Sequence, residues 1–342
     1  MMKTQTRVSS LQTQKRERAE GAAASIRTMV SLMMGAQLLL WVVFFGYDQS
    51  VQAVWQSAAM LIAPLLLVYF LWKDAPQNPK LCLLLLPCLW ADAAFLLFAL
   101  SGYIGQLIPH YPHWVGAAVP SVIVLLTAYT AKPEGTARGA YAMKGLMVIL
   151  FVFGTVFLRA SNRGDRLWPL MGRGLLTQGK TAFTGSGSVW MAALLFILPP
   201  KCKKAARYAL LPWAAGCVWA LWFGFVRPWA FGDEMAVAEK MMGLARHAHS
   251  ITLYEIAGLL WMLLLPLALC GTLSASEKLT LSAFHNCPRL LPLLLTLAPG
   301  AACLLLLSQK MPSLLQSVLP FRTALCLAAG AAVRVMEKRQ KR

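Results

Sequence analysis

The residues with the strongest chemical potential are Thr184-Gly185-Ser186-Gly187-Ser188, which interrupt the otherwise apolar run 178–198. In a helix interior Gly costs about 1 kcal/mol relative to Ala, and Ser competes for backbone hydrogen bonds, so the run is expected to unwind there. Unwinding frees half-helix N–H groups and a positive dipole end, which together hold a carboxylate well. Small residues also let helices pack closely, and the same five residues suit that plainer role. The first apolar run, 28–46, offers a weaker counterpart in Gly35, Ala36 and Gln37.

A second candidate is Asp92, near the middle of the run 81–106. A charge at such a place costs at least about 2.5 kcal/mol on insertion scales. An acid that persists there can exchange a proton or pair with a substrate amine. The alternative is a neutral carboxyl hydrogen-bonded to a neighbouring helix. Glu255 opens the eighth run, where a carboxylate favours a helix N-terminus and Ser250 or Thr252 can cap it.

Other chemistry finds little support. The five histidines are scattered, and His247 and His249 have no further metal ligands nearby in sequence. The eight cysteines form no CxxC pair and read as small apolar fillers. No convergent set of nucleophile, base and oxyanion donors is recognisable, so neither an enzyme nor a cofactor protein is expected.

The elements that must position these residues are set by lipid. Hydrophobic residues make up 58% of the 342 and charged residues 13%, against about 25% charged in a soluble domain. Mean hydropathy is +0.60. A spanning helix needs roughly 20 mostly apolar residues, and such runs recur at 28–46, 51–72, 81–106, 114–131, 142–159, 178–198, 206–226, 252–273, 290–308 and 314–335. Lipid permits helices or closed barrels, and no period-two alternation supports a barrel, so the expected fold is all-α and polytopic with about ten spans.

The net charge of +19 comes from Lys and Arg in the gaps between runs and at both ends, which is membrane topology rather than a nucleic-acid face. Most of them fall on one side if both termini are cytoplasmic. Residues 1–27 and 336–342 then read as basic cytoplasmic tails around a single membrane domain, 28–335. Within it, 28–159 and 178–335 form two five-helix halves. Interrupted helices in corresponding places of the two halves, one and six, fit an inverted repeat.

Several local patterns, in order along most of the chain, resemble one family. They are Gln52-Ala53-Val54-Trp55, Gly135-Thr136-Ala137-Arg138-Gly139-Ala140, and Leu167-Trp168-Pro169-Leu170 with Gly172 and Gly174. Further on come Pro199-Pro200, then Leu244-Ala245-Arg246-His247 followed by Ile251, Tyr254, Glu255 and Trp261. Together they are similar to the spore-germination permeases, the B subunits of endospore germinant receptors, in the amino acid/polyamine/organocation transporter superfamily. The resemblance implies a 5+5 inverted repeat of the leucine-transporter type with helices one and six broken, and a pocket for a small amino-acid-like ligand between helices one, three, six and eight. It also implies an A-type membrane subunit and a C-type lipoprotein as partners in the spore inner membrane, with germinant recognition as the role. A secondary amino-acid or cation permease in the cell membrane, or a structural receptor subunit with a degenerate pocket, would share this fold.

Overall fold

The computed structural model describes residues 21–37, 40, 60–73, 79–107, 113–157, 186–198, 210, 214, 251–284, 286–307 and 310–340. Among these residues every regular element is helical. Helix α1 covers 21–37, and α2 is Ile62–Trp72. A helical turn at Pro79–Cys82 and a 3-10 turn at Leu83–Leu85 lead into α3, Leu86–Leu107. Helix α4 is His113–Phe157. A 3-10 segment, Ser186–Ala193, runs into α5, Leu194–Ile197. The chain ends in α6 (Ile251–Ala283), α7 (Leu290–Leu307) and α8 (Met311–Gln340).

These elements fall on the apolar runs read from sequence, with longer ends. Residues 21–27, expected as tail, are helical and continuous with the first run. Residues 274–283 extend α6 past its apolar stretch. The expected loop between the fourth and fifth runs is a corner one residue wide. Lys132 has φ 59 and ψ 164 and splits α4 into two helices. Pro133 drives the residue before it out of the α region and so ends the first helix at Lys132, although proline does not by itself require the positive φ. That backbone region is close to glycine-only and costs on the order of 1–3 kcal/mol, so the surrounding packing must hold it. Apart from Leu210 and Ala214, the run 206–226 lies outside the described residues.

Among the described residues four stretches are long and apolar enough to cross a membrane: Pro79–Gly102, Val115–Met143, Leu290–Leu307 and Ser317–Met336. Large apolar side chains such as Leu67, Phe70, Ile123, Leu126, Leu306 and Phe321 point outward from several helices, as a lipid-facing surface requires.

Two apolar clusters lie inside. One joins α3, α4, α6 and α7 through residues such as Leu96, Val124, Leu269 and Leu297. The other joins α1, α2, the 3-10 segment and α8 through Met33, Trp72, Trp190 and Val333. Glycines set the closest approaches. A Cβ on Gly330 of α8 would lie 2.8 Å from Trp72 Nε1 and 3.1 Å from Leu71 Cβ of α2.

Ion pairs fasten the corners where the helices overshoot. Lys278 Nζ lies 3.1 Å from Glu134 Oε1, tying α6 to α4 just after the Lys132 corner. Ser274 Oγ donates to Thr136 Oγ1 at 3.1 Å between the same helices. Arg289, in the α6–α7 connection, pairs with the buried Glu277, donates Nη2 to the Tyr129 carbonyl at 3.2 Å and lies 5.3 Å from the Tyr129 ring centre. The hydrogen bond to Glu277 raises the Arg289 guanidinium above its ordinary pKa. Arg334 of α8 donates to the Phe70 and Leu71 carbonyls at the end of α2.

Candidate functional site

Asp92 stands in the second turn of α3 in Trp90-Ala91-Asp92-Ala93-Ala94, where small neighbours let other helices come close. It is fully buried, so its charge must be met by protein. Arg322 supplies the partner from α8, itself only 5% exposed, with Nη1 against Asp92 Oδ1 in an ion pair. Trp190, on the 3-10 segment, donates Nε1 to the other oxygen, Oδ2, at 2.9 Å.

Gln37 at the end of α1 bridges the two charged residues. Its Nε2 donates to the Asp92 carbonyl at 3.5 Å, and its Oε1 accepts from Arg322 Nη1 at 3.4 Å. Arg322 Nε also donates to the Leu319 carbonyl at 3.2 Å. Thiols extend the network, with Cys88 Sγ donating to the Arg322 carbonyl at 3.4 Å and Cys326 Sγ to the Trp190 carbonyl at 3.9 Å. Trp72 Nε1 donates to the Cys326 carbonyl at 3.3 Å, binding α2 to the same stretch of α8.

The result is one opposite-charge pair sealed from solvent at the meeting point of α1, α3, the 3-10 segment and α8. Chemically it can hold one negative and one positive group together, with a neutral amide and an indole N–H to orient them. Among the described residues no group of three His, Cys, Asp or Glu side chains could hold a metal. Removing only the indole donor should therefore weaken the fold measurably. Trp190→Phe keeps the ring and deprives Asp92 Oδ2 of its N–H, at an expected cost of about 1–3 kcal/mol. Unfolding of the purified protein in detergent measures it, and an unchanged midpoint would contradict the assigned bond.

Of the residues singled out from sequence, the structure brings Gln37 and Asp92 together. Ala36 is buried beside them in the α3–α4–α6–α7 cluster. Gly35, Ala36 and Gln37 are all helical, and a Cβ on Gly35 would meet nothing within 4 Å. Thr184 and Gly185 lie outside the described residues, while Ser186, Gly187 and Ser188 open the 3-10 segment. Eight residues is long for 3-10 geometry, which rarely exceeds three or four and marks strain or a hinge when it does. The backbone therefore departs from the α-helix where Gly and Ser accumulate. Glu255 lies in the opening turns of α6.

Sequence reasoning does not name Arg322 or Trp190. The signal for Arg322 is present all the same: it is a cation in the interior of the apolar run 314–335, whose other cation, Arg334, stands at the end of the run, and it is as costly there as Asp92 is in its own run. Two solitary opposite charges in different spans are a pair waiting to be matched. Trp190 carries no such signal, because tryptophan is common in membrane helices.

The sequence matches no family model and no curated protein. Solved structures do resemble it. Over 86% of this chain and 74% of the other, with a TM-score of 0.58 and 12% identity, the fold matches Mhp1, a nucleobase-cation-symport-1 family transporter in a closed conformation with bromovinylhydantoin bound. An Eremococcus coleocola manganese transporter, in complex with an aromatic bis-isothiourea substituted compound, is similar over 90% of this chain and 75% of its own at 12% identity, with a TM-score of 0.46. Apolar spans, all-helical architecture and the match to Mhp1 make this chain an integral membrane protein with a transporter fold of the leucine-transporter type.

Proposed function

We propose that this chain is a transporter-like membrane subunit that binds a small amino acid or similar solute at the Asp92–Arg322 cluster, and that it serves as the sensing subunit of a spore germinant receptor. The observation that carries ligand binding is the sealed opposite-charge pair, joined by Gln37 and Trp190, at the junction of four elements of a transporter fold. Ionisable groups inside membrane proteins are rare, costly and mark substrate and ion pathways, which makes this pair a functional-site candidate.

The germinant role rests on the order of local patterns that resembles the spore-germination permeases. Two of those patterns lie on described elements, Gly135–Ala140 just past the Lys132 corner and Ile251 to Trp261 at the start of α6. That role brings an A-type membrane subunit and a C-type lipoprotein as partners, in the spore inner membrane with both termini cytoplasmic. The basic corners at Lys278, Arg289 and Arg334 lie in segments that this orientation places inside.

Purified chain reconstituted in vesicles tests the reading. Amino acids that bind, with binding weakened by Gly187→Leu in a folded variant, and no accumulation unless the partner subunits are present, are the expected results. Accumulation by the chain alone would replace the receptor role with that of a secondary permease. Failure of every amino acid to bind would remove the ligand site and leave a structural subunit.

A further inference from the structure

The Asp92 carboxylate and the Arg322 guanidinium are each other's counter-ion in a place that water does not reach. A solute carrying one charge would have to separate them and would satisfy only half. The other half would stay buried without a partner, which is the costly way to open a buried ion pair. A solute carrying both charges on a short spacer replaces both partners in one event and leaves neither bare.

We propose that Arg322 and Asp92 form a zwitterion site that the protein occupies with its own ion pair until a ligand divides it. The ligand carboxylate takes the Arg322 guanidinium, whose planar fork suits two-point contact with a carboxylate. The ligand ammonium takes Asp92, whose Oδ2 retains the Trp190 N–H. Gln37, which bonds the Arg322 guanidinium and the main-chain carbonyl of Asp92, stays beside the guanidinium–carboxylate pair. This assignment rests on the ligand-binding reading above and sharpens it: carboxylate recognition passes from the backbone N–H groups of the helix break to a side chain on α8.

Division of the pair has a mechanical consequence. Helix α8 is fastened to α2 by the Trp72 and Arg334 hydrogen bonds and to α3 by the ion pair. A ligand lodged between Asp92 and Arg322 spreads α3 from the α2–α8 unit across the 3-10 segment, which is tied to α3 by the Trp190 indole on Asp92 and to α8 by the Cys326 thiol on the Trp190 carbonyl.

The test uses the purified full chain in detergent and a panel of amino acids, each alongside its methyl ester, which lacks the carboxylate, and its N-acetyl derivative, which lacks the ammonium. Wild type should bind at least one free amino acid more tightly than either derivative by a factor of at least about ten. In Arg322→Gln the ester and the free amino acid should converge. In Asp92→Asn the N-acetyl derivative and the free amino acid should converge. Should either single variant fail to fold, the double variant Asp92→Asn/Arg322→Gln leaves no unpaired buried charge and should show neither preference. Tenfold discrimination persisting in the variants, or esters binding wild type as well as free amino acids do, overturns the assignment while leaving ligand binding intact. No binding of any compound to wild type overturns this assignment and the proposed function together.

Discussion

Arg322→Gln should lower the unfolding free energy of the purified protein by about 3–5 kcal/mol, the usual consequence of leaving one member of a buried pair uncompensated. Asp92 is fully buried, and its Oδ1 has Arg322 as its counter-charge. The Trp190 N–H alone, on Oδ2, supplies a dipole in place of a full charge. Adding Asp92→Asn to Arg322→Gln removes the stranded charge, so the double variant should recover most of the loss. Replacing a buried pair by well-packed apolar residues is often neutral or stabilising, whereas removing one partner is not, and Asn and Gln keep the shape of the pair without a net charge to strand. Unfolding in detergent, wild type against the two singles and the double, reads the difference directly. A double variant no more stable than Arg322→Gln would mean that the pair is not what holds these helices together.

Gly300→Ala should be the most damaging single-carbon addition in the described core. A Cβ at Gly300 of α7 would fall 2.7 Å from Ala94 Cα and 3.2 Å from Ala94 N, both backbone atoms of α3 that cannot rotate away. The two helices must separate, and overpacking of this sort typically costs about 1–3 kcal/mol. Ala94 is two residues from Asp92, so the displacement also reaches the ion pair. Gly271→Ala is the matched comparison. Its Cβ would approach Met33 Sδ at 2.9 Å, Met33 Cγ at 3.0 Å and Met29 Cγ at 3.2 Å, atoms of unbranched side chains that can rotate where backbone cannot. Gly271→Ala should therefore be the milder of the two. Gly300→Ala as stable as wild type would show that α3 and α7 can part without cost, and a loss no larger than that of Gly271→Ala would contradict the ranking.

Much of the architecture is legible in the sequence because lipid makes it so. A bilayer asks each span for roughly 20 apolar residues and internally satisfied backbone groups, and both demands are met locally. A departure from the α-helix at Ser186 to Ser188 is legible too, since Gly and Ser weaken an α-helix wherever they cluster, but its 3-10 form is not. Pro133 likewise announces the corner at Lys132.

Helix ends are less legible. Residues 133–141 and 274–283 are polar enough to read as loops, yet the Lys278–Glu134 and Ser274–Thr136 contacts lie between them, and both stretches are helical. Those contacts join residues 144 and 138 positions apart, beyond what a local pattern can express.

The site divides along the same line. Asp92 is conspicuous in sequence because a charge inside an apolar run is costly on its own account, and Gln37 is noticed through its place in the first run. What Asp92 does was open, either a neutral acid bonded to a neighbour or a charged partner for a ligand. Tertiary structure supplies the partner, 230 residues away on α8, where Arg322 meets Asp92 beside the 3-10 segment and α1. Sequence by itself determined that the chain lives in lipid, roughly where it crosses, and that it carries a charge there needing an explanation. Only the folded bundle determined which charge answers it, since pairing across helices depends on how their faces pack and not on what either helix contains.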